Sequence, residues 1–302
     1  MTSYPDMRPT TLPAERGATS VRTIALSSAA MLCFAANSIL CRLALAPRHI
    51  DAATFTTLRV LSAAAMLGLI VFVQRRKLPR LTRANPWSAA ALFGYLIFFS
   101  FAYLRLEAGT GALILIGAVE LSMFSVAFYE GERFTAWQWI GLAMAIGGFL
   151  YLVLPGASAP DALGAAFMAI SGVAWGCFSL LARGVHDPVE ANASTMIACL
   201  LPTLAINFLG PHEFAATATG VLLAIASGAF ATGLGYIIWY LALRSLPAAR
   251  AATVQLSMPA LVTLGGAGLL AEPLTMRLLI ASAMLLGGIA LVLGRHVAGG
   301  RR

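Results

Sequence analysis

The chain has 302 residues, of which 60% are hydrophobic and 11% are charged, and its mean hydropathy is +0.85. Soluble domains are only about 45–50% apolar, so this composition excludes an ordinary soluble protein and indicates one that lies in a lipid bilayer. The net charge of +8 does not indicate nucleic-acid binding, because the basic residues flank apolar segments and no polar domain could carry a binding face.

The two ends of the chain are polar. Residues 1–20 contain three prolines and mixed charges, and they lack the apolar core of a cleaved signal peptide. We expect them to form a disordered cytoplasmic tail and residues 296–302 to form a short basic cytoplasmic tail. The first apolar segment is therefore expected to remain in the protein as a membrane span.

Ten apolar segments follow, each long enough to cross about 30 Å of hydrocarbon, which takes about 20 helical residues. Their boundaries are typical of helices, because Asp51 and Asp161 stand at capping positions and Pro86 and Pro188 stand in first turns. The predicted spans are residues 22–46, 52–73, 86–106, 109–129, 135–154, 162–182, 189–209, 217–243, 248–270 and 275–294.

The distribution of basic residues predicts the orientation, because loops rich in arginine and lysine stay in the cytoplasm. With the N-terminus inside, fifteen of the twenty basic residues fall on the cytoplasmic side. Four fall outside, namely Arg42, Arg48, Arg105 and Arg277. The sequence thus predicts a multi-pass protein of the bacterial inner membrane with both termini in the cytoplasm.

The chain contains an internal repeat. At an offset of 140 residues, the segment GERFTAWQWIGLAMAIGG (131–148) matches AEPLTMRLLIASAMLLGG (271–288), including Glu132 with Glu272. At an offset of 141, Phe34 falls on Trp175 and Arg42 on Arg183. Since each repeat holds five helices, an odd number, the second copy must enter the membrane from the opposite side. The predicted fold is an all-α integral membrane protein with ten transmembrane helices as two inverted five-helix repeats, residues 21–155 and 161–295.

The motifs of membrane enzymes and of ATP-driven transport are missing. Lys77, the single lysine, has no glycine-rich phosphate loop ahead of it, and no pair of histidines has metalloprotease spacing. Cys33, Cys41, Cys177 and Cys199 have no metal or redox spacing. We expect no enzymatic activity, no cofactor, no nucleotide and no bound metal.

Only two charged residues, Arg59 and Glu120, lie deep within the predicted spans. A charge at that depth costs several kcal/mol unless it is paired or hydrated. Glu120 is a candidate proton carrier or a ligand for a substrate amino group, and the alternative is a structural partner of Arg59 or of neighbouring hydroxyl groups. Glu132 and Glu272, by contrast, are expected to cap the helices that follow them.

Aromatic and polar residues at internal positions predict a solute site between the repeats. Tyr95, Phe99 and Tyr103 share one face of the third helix, and lipid-facing bulk is the alternative for each aromatic residue. Pro259 lies within a span, where it frees a backbone carbonyl and can act as a hinge. The candidate substrate-binding residues are Asn37, Tyr95, Phe99, Tyr103, Glu120, Trp175, Tyr236, Trp239, Gln255 and Ser257.

The repeated Glu-x-x-Thr start of an apolar helix that ends in Gly-Gly resembles the drug/metabolite transporter superfamily, as do AWG (174–176) and LRSLPAARAA (243–252). The resemblance covers residues 22–295. It implies ten helices in two inverted repeats around a central cavity that opens alternately to either side without ATP. Within the superfamily the chain is most similar to bacterial amino-acid exporters, aromatic amino acid exporters in particular.

The expected function is therefore export of amino acids or similar small metabolites, with apolar or aromatic side chains favoured and protons as a candidate coupling ion. One alternative is a sugar-phosphate or nucleotide-sugar antiporter, although a dianion calls for several cations and only Arg59 is deep. A non-transporting membrane protein is the other alternative. The expected partners are a small-molecule substrate and the lipid bilayer.

Overall fold

The computed structural model describes residues 21–81, 84–156, 159–183, 185–209, 214–246 and 248–294. Within these ranges ten helices are long and apolar enough to cross a membrane, as the sequence predicted. The predicted tails, residues 1–20 and 296–302, lie outside the described residues.

The helices follow the predicted spans closely, although α3 ends at Tyr103 rather than at residue 106. Their bounds are α1 Val21–Leu45, α2 Ala52–Arg75, α3 Pro86–Tyr103, α4 Ala108–Tyr129, α5 Ala136–Val153, α6 Ala162–Leu181, α7 Pro188–Ala198 and Leu200–Leu209, α8 Ala218–Ala226, Ser227–Leu234 and Gly235–Leu243, α9 Ala248–Gln255 and Ser257–Leu270, and α10 Met276–Gly294.

Three helices of the second repeat are irregular. The first segments of α7 and α9 end at Ala198 and Gln255, each four residues before a proline (Pro202 and Pro259) that cannot donate the next helical hydrogen bond. The middle of α8, Ser227–Leu234, is a π-helix, a form that is rare and frequent at functional sites. The interruptions of α7 and α8 thus lie near the middle of these helices, and that of α9 lies in its first half.

The helix starts confirm two predicted caps and correct two others. Asp51 Oδ1 accepts from Thr54 N at 2.9 Å and Asp161 Oδ1 from Gly164 N at 2.8 Å. The prediction that Glu132 and Glu272 cap the helices after them is wrong. Thr135, with Gln138, caps α5, and the Thr275 hydroxyl accepts from Leu278 N at 3.2 Å at the start of α10. A threonine next to the helix reaches the free amides more directly than a glutamate three residues earlier.

The helices pack in two groups that exchange one helix between the repeats. In the first group α6, from the second repeat, packs against α3 and α4; in the second group α1, from the first repeat, packs against α8 and α9. The two arrangements are equivalent when each helix is replaced by its repeat partner five helices away. The bundle therefore has the pseudo-twofold symmetry of an inverted repeat, and each packing group contains helices of both repeats.

The helices α5 and α10 pack against each other through glycines. A Cβ on Gly141 would lie 2.6 Å from the Gly288 carbonyl oxygen, and one on Gly148 would lie 2.8 Å from Leu285 N. Small residues allow such close helix contacts in membranes. The double glycines at the ends of the repeated stretches thus hold the last helices of the two repeats together.

Candidate functional site

A cavity of about 590 Å³ lies on the pseudo-twofold axis, where the two packing groups meet. Both repeats and seven helices contribute to its wall. Its lining residues are Met31, Phe34, Asn37, Arg59, Tyr95, Leu115, Ile116, Val119, Trp175, Ala231, Thr232, Tyr236, Gln255 and Met258. We call it the central cavity.

A belt of four aromatic rings runs around the central cavity. The Tyr95 and Trp175 ring centroids lie 4.7 Å apart, Trp175 stacks on Tyr236 at 5.8 Å, and Tyr236 meets Phe34 edge to face at 5.9 Å. Tyr95 with Trp175 and Tyr236 with Phe34 are equivalent pairs at the repeat offset of 141. The aromatic belt is therefore built from two symmetric halves, and its rings offer stacking surfaces to an apolar or aromatic solute.

Arg59 is the one basic residue in the wall of the central cavity, and it is 1% exposed. Its Nη2 donates to the Tyr95 hydroxyl at 3.3 Å, and its Cζ lies 4.9 Å from the centre of the Phe99 ring. Its Nε and Nη1 have no hydrogen-bond partner. No aspartate or glutamate is present among the lining residues, so the cavity wall carries an uncompensated positive charge.

Three neutral polar side chains complete the central cavity. Asn37 Oδ1 accepts a hydrogen bond from the Ser227 hydroxyl at 2.8 Å, which links α1 to α8. The Thr232 hydroxyl is buried without a partner, and Gln255 lies at the end of the first segment of α9. Since Thr232 and Gln255 adjoin the interruptions in α8 and α9, the irregular backbone and the polar groups occur at the same place.

Five of the ten predicted substrate-binding residues line the central cavity: Asn37, Tyr95, Trp175, Tyr236 and Gln255. The other five, Phe99, Tyr103, Glu120, Trp239 and Ser257, lie elsewhere.

Three of those five are aromatic residues behind the wall. Phe99 is fully buried beneath Arg59, Tyr103 is fully buried with its hydroxyl 3.3 Å from the Ala108 carbonyl oxygen, and Trp239 packs on Phe34 at 6.2 Å. They support the aromatic belt without lining the cavity. For the residues of α3 the reason is helix geometry: each step of four residues turns the side chain by about 40° around the helix axis. Tyr95 therefore faces the cavity, whereas Phe99 and Tyr103 do not.

The two remaining polar candidates also point elsewhere. Ser257 is exposed, and its hydroxyl donates to the Val254 carbonyl oxygen at 2.7 Å. Glu120 lies in a second cavity of about 860 Å³ on the other side of α4. Pro259, the predicted hinge, is buried directly after the interruption in α9.

The second cavity lies between α4, α5 and α10, at the end of the bundle that carries Glu132 and Arg183 (the Glu132 end). Its wall is apolar apart from those two residues and Glu120. It is lined by Gly117, Glu120, Leu121, Met123, Phe124, Ala127, Glu132, Phe134, Leu142, Ala145, Arg183, Leu285, Ile289, Val292 and Leu293.

At the opposite end (the Glu272 end), two charged residues join the packing groups. Arg42 Nε lies 3.1 Å from Glu272 Oε1, and both belong to the second group. From there they reach across: Glu272 Oε2 accepts from Ala108 N at 2.8 Å, and Arg42 Nη1 donates to the Tyr103 carbonyl oxygen at 2.9 Å. Ala108 N and the Tyr103 carbonyl oxygen both belong to the first packing group. The Arg42–Glu272 cluster therefore connects the two packing groups.

Glu107 adjoins the same cluster, in the turn between α3 and α4. Partial burial raises the pKa of the Glu107 carboxyl, the charge of Glu272 raises it further, and Arg42 opposes the shift. In this closed arrangement Glu107 thus holds a proton more tightly than a carboxyl in water does.

Helix packing also closes the Glu272 end. A Cβ on Gly109 of α4 would lie 2.6 Å from the Thr263 hydroxyl of α9, and Ala35, Ala108 and Val262 form a buried apolar cluster beside it. At the Glu132 end the repeat counterpart of Thr263 is Met123, which lines the second cavity. Contacts between the packing groups therefore close the Glu272 end, whereas the second cavity occupies the equivalent place at the Glu132 end.

Sequence reasoning missed nine of the fourteen residues that line the central cavity, among them Phe34 and Arg59. Phe34 was expected to correspond to Trp175 in the repeat, and that correspondence alone indicates a place in the aromatic belt. Arg59 was recognised as a deep charge but was not counted among the substrate-binding residues. Whether Arg59 pairs with an acidic residue decides its role, and only the tertiary structure shows that it does not.

The fold and the lining of the central cavity define an integral membrane protein of two inverted five-helix repeats with a cavity between them. The sequence model of the EamA-like transporter family matches residues 21–154 and again residues 162–294. The chain therefore belongs to the EamA-like transporter family, within the drug/metabolite transporter superfamily.

Relatives extend along most of the chain. An uncharacterized protein of Pseudomonas aeruginosa is 45% identical over 90% of this chain and 94% of its own length. A probable amino-acid metabolite efflux pump of Salmonella typhimurium is 27% identical over 73% of this chain and 79% of its own. A solved crystal structure with 21% identity, covering 91% of this chain and 98% of that one, superposes with a TM-score of 0.63, which supports the fold.

Proposed function

We propose that this transporter exports amino acids or similar small metabolites, with apolar or aromatic side chains favoured, across the bacterial inner membrane. The observation that carries the proposal is the aromatic belt of Phe34, Tyr95, Trp175 and Tyr236 around a cavity of about 590 Å³. The printed description of the Salmonella relative, a probable amino-acid metabolite efflux pump, supports the same substrate class.

The mechanism we propose is alternating access by movement of the two packing groups. The support is the difference between the two ends, which symmetry makes equivalent in sequence. In the alternate state the Glu132 end closes: Glu132 accepts from the first amides of α9, and Arg183 donates to the carbonyls that end α8. The second cavity collapses and the Arg42–Glu272 cluster opens. Because the repeats are inverted, each state resembles the other after rotation about the pseudo-twofold axis, with the roles of the two repeats exchanged.

We further propose that the Glu132 end faces the cytoplasm, together with both chain termini. The support is the positive-inside rule, since fifteen basic residues fall on that side and four on the other. In this orientation the structure is an inward-open state ready to take up a cytoplasmic solute.

Coupling to protons is proposed to use Glu120. The side chain is largely buried in the second cavity, apart from the central cavity, so a proton there does not compete with substrate for the same space. The second cavity belongs to the open end and disappears on closure. The environment of Glu120 therefore changes with each transport step, which is the requirement for coupling.

Counterflow in proteoliposomes tests the proposal. Purified protein is reconstituted with unlabelled solute inside, and uptake of labelled amino acids, sugars and phosphorylated sugars is followed with and without a pH gradient. We expect saturable exchange of amino acids with apolar or aromatic side chains. Uptake confined to phosphorylated solutes favours the antiporter alternative, and no uptake of any solute contradicts transport of these metabolites.

A further inference from the structure

Resting on the proposed function, we propose that Arg59 is the substrate anchor and that the transported solutes share a singly charged carboxylate. The carboxylate binds the Arg59 guanidinium, and the apolar body of the solute lies against the aromatic belt. Recognition thus starts from the acid group and tolerates different side chains. Organic cations that lack an acid group are excluded.

The charge state of the cavity is the first argument. Arg59 is 1% exposed, and its Nε and Nη1 carry three N–H donors that have no partner. A buried ion of this kind is strongly unfavourable unless a counter-charge or hydrogen bonds compensate it. The ion pairs found in the described part of the chain involve Arg42, Arg75 and Arg105, not Arg59. An anion from outside the chain therefore finds unused donors and no competing carboxylate at Arg59.

The fold does not supply a structural reason for the charge. The equivalent helix of the second repeat, α7, contains no arginine or lysine in Pro188–Leu209, so five-helix units of this kind assemble without one. Arg59 is held in place by cation–π contacts with Phe99 and Tyr95 and by one long hydrogen bond, at 3.3 Å to the Tyr95 hydroxyl. Its Nε and Nη1 donors remain available for a ligand.

The surroundings of Arg59 point to a carboxylate carried on an apolar body. Arginine offers planar N–H groups that match the oxygens of a carboxylate. A single cation balances one negative charge, and the wall offers no second cation for a phosphate dianion. The neutral groups of Asn37, Thr232 and Gln255 remain for an amino or hydroxyl group on the same solute.

The π-helical part of α8 packs against the backbone of α2 at the residue that carries the guanidinium. Gly228, in the π-helical part of α8, approaches α2 at Arg59 so closely that a Cβ would lie 2.9 Å from the Arg59 carbonyl carbon. The π-helix and the arginine are thus in direct contact. Movement of α8 against α2 is therefore expected to shift the backbone that carries Arg59.

Ligand-induced thermal stabilisation of the detergent-solubilised protein tests the anchor without requiring transport. The probes are L-phenylalanine, its carboxylate-only analogue 3-phenylpropionate, its amide L-phenylalaninamide, the amine phenylethylamine and phenyl phosphate. We expect both carboxylates to bind at least about tenfold more tightly than the amide and the amine, because a charge-assisted hydrogen bond is lost. Equal binding of the amide, tighter binding of phenyl phosphate, or no response to either carboxylate overturns the inference.

Variants make the test specific to Arg59. Arg59→Met is expected to abolish the preference for carboxylates, Arg59→Lys to keep part of it, and Arg105→Met, at an exposed ion pair, to leave it unchanged. If Arg59→Met does not fold, Arg59→Lys and the wild-type series decide. Carboxylate binding that depends on Arg59 without exchange in proteoliposomes removes the transport proposal and keeps the anchor. Exchange of solutes without any preference for carboxylates keeps the transport proposal and removes Arg59 as the anchor.

Discussion

Arg42 Nε lies 3.1 Å from Glu272 Oε1 at one end of the bundle, whereas their repeat counterparts, Arg183 and Glu132, line an open cavity at the other end. Within the described ranges neither Arg183 nor Glu132 belongs to an ion pair. The same pair of residues is thus present twice in the sequence and joined once in the structure. This difference is what an alternating transporter needs, because only one end may be closed at a time.

A pair of introduced cysteines makes the two ends measurable. Thr263→Cys places a thiol under the closed contact between α4 and α9, and Met123→Cys places one at the counterpart position in the second cavity. The native Cys33, Cys41, Cys177 and Cys199 are first replaced by serine or alanine. The rate of labelling by a membrane-impermeant maleimide then reports how open each end is.

Arg42→Ala is expected to open the Glu272 end. The variant loses the ion pair and the hydrogen bond to the Tyr103 carbonyl. Hydrogen bonds to charged groups contribute about 1.5–3 kcal/mol, so labelling of Thr263→Cys should rise about tenfold or more. The matched control is Arg105→Ala, because its ion pair with Asp161 lies within the first packing group. Equal labelling rates in the two variants would contradict a closing role for Arg42.

Acidification is expected to favour closure of the Glu272 end through Glu107. In the closed state burial and Glu272 raise the pKa of Glu107, with Arg42 opposing, and in the open state the carboxyl is exposed to water. The closed state therefore binds a proton more tightly, and it gains stability as the pH falls through the interval between the two pKa values.

The measurement is the labelling rate of Thr263→Cys as a function of pH, compared with the same rate in a Glu107→Gln background. Glutamine mimics the protonated carboxyl, so this background should stay closed at every pH. It also corrects for the pH dependence of thiol alkylation. If the two backgrounds respond to pH in the same way, Glu107 does not sense it.

Glu120→Gln is expected to separate proton coupling from substrate exchange. Glu120 lies in the second cavity and not in the central cavity, so the variant should keep substrate counterflow within about twofold of the wild type. It should lose the response of uptake to a pH gradient, because glutamine does not carry a proton. An unchanged pH response removes Glu120 from the mechanism, and a large loss of exchange at constant pH would place it in substrate binding.

Gly288→Ala is expected to destabilise the contact between α5 and α10. The new Cβ would lie 2.6 Å from Ala145 N, and overpacking of this kind costs about 1–3 kcal/mol. The measurement is the thermal unfolding midpoint in detergent. Gly68→Ala is the control, because a Cβ there meets nothing within 4 Å. Equal midpoints for the two variants would show that the α5–α10 contact yields to an added methyl group.

Hydropathy and repeat matching predicted the number of helices and their places in the chain, because membrane spans of about 20 apolar residues and one-sided basic loops are written directly in sequence. The repeat aligns Glu132 with Glu272 at an offset of 140 and Phe34 with Trp175 at an offset of 141, and these two rings belong to equivalent halves of the aromatic belt. Local composition and internal symmetry were sufficient for these features.

Long-range contacts decided the features that the sequence could not predict. Glu272 accepts from Ala108 N, at the start of a helix 164 residues earlier in the chain, so a local capping rule gave the wrong partner. The exchange of α1 and α6 between the packing groups likewise depends on how helices meet in the bilayer. The sequence around Arg59 does not reveal whether the guanidinium is paired. Its unpartnered N–H groups can be recognised only from the positions of its neighbours in the folded structure.

If the two ends open in turn, as we propose, labelling of Met123→Cys and Thr263→Cys must change in opposite directions during transport. In proteoliposomes without solute, we predict fast labelling at Met123→Cys and protection at Thr263→Cys. Under conditions of active exchange with an apolar amino acid, labelling should slow at the first position and accelerate at the second. Rates that change in the same direction at both positions, or that do not change at all, would contradict alternating access in this protein.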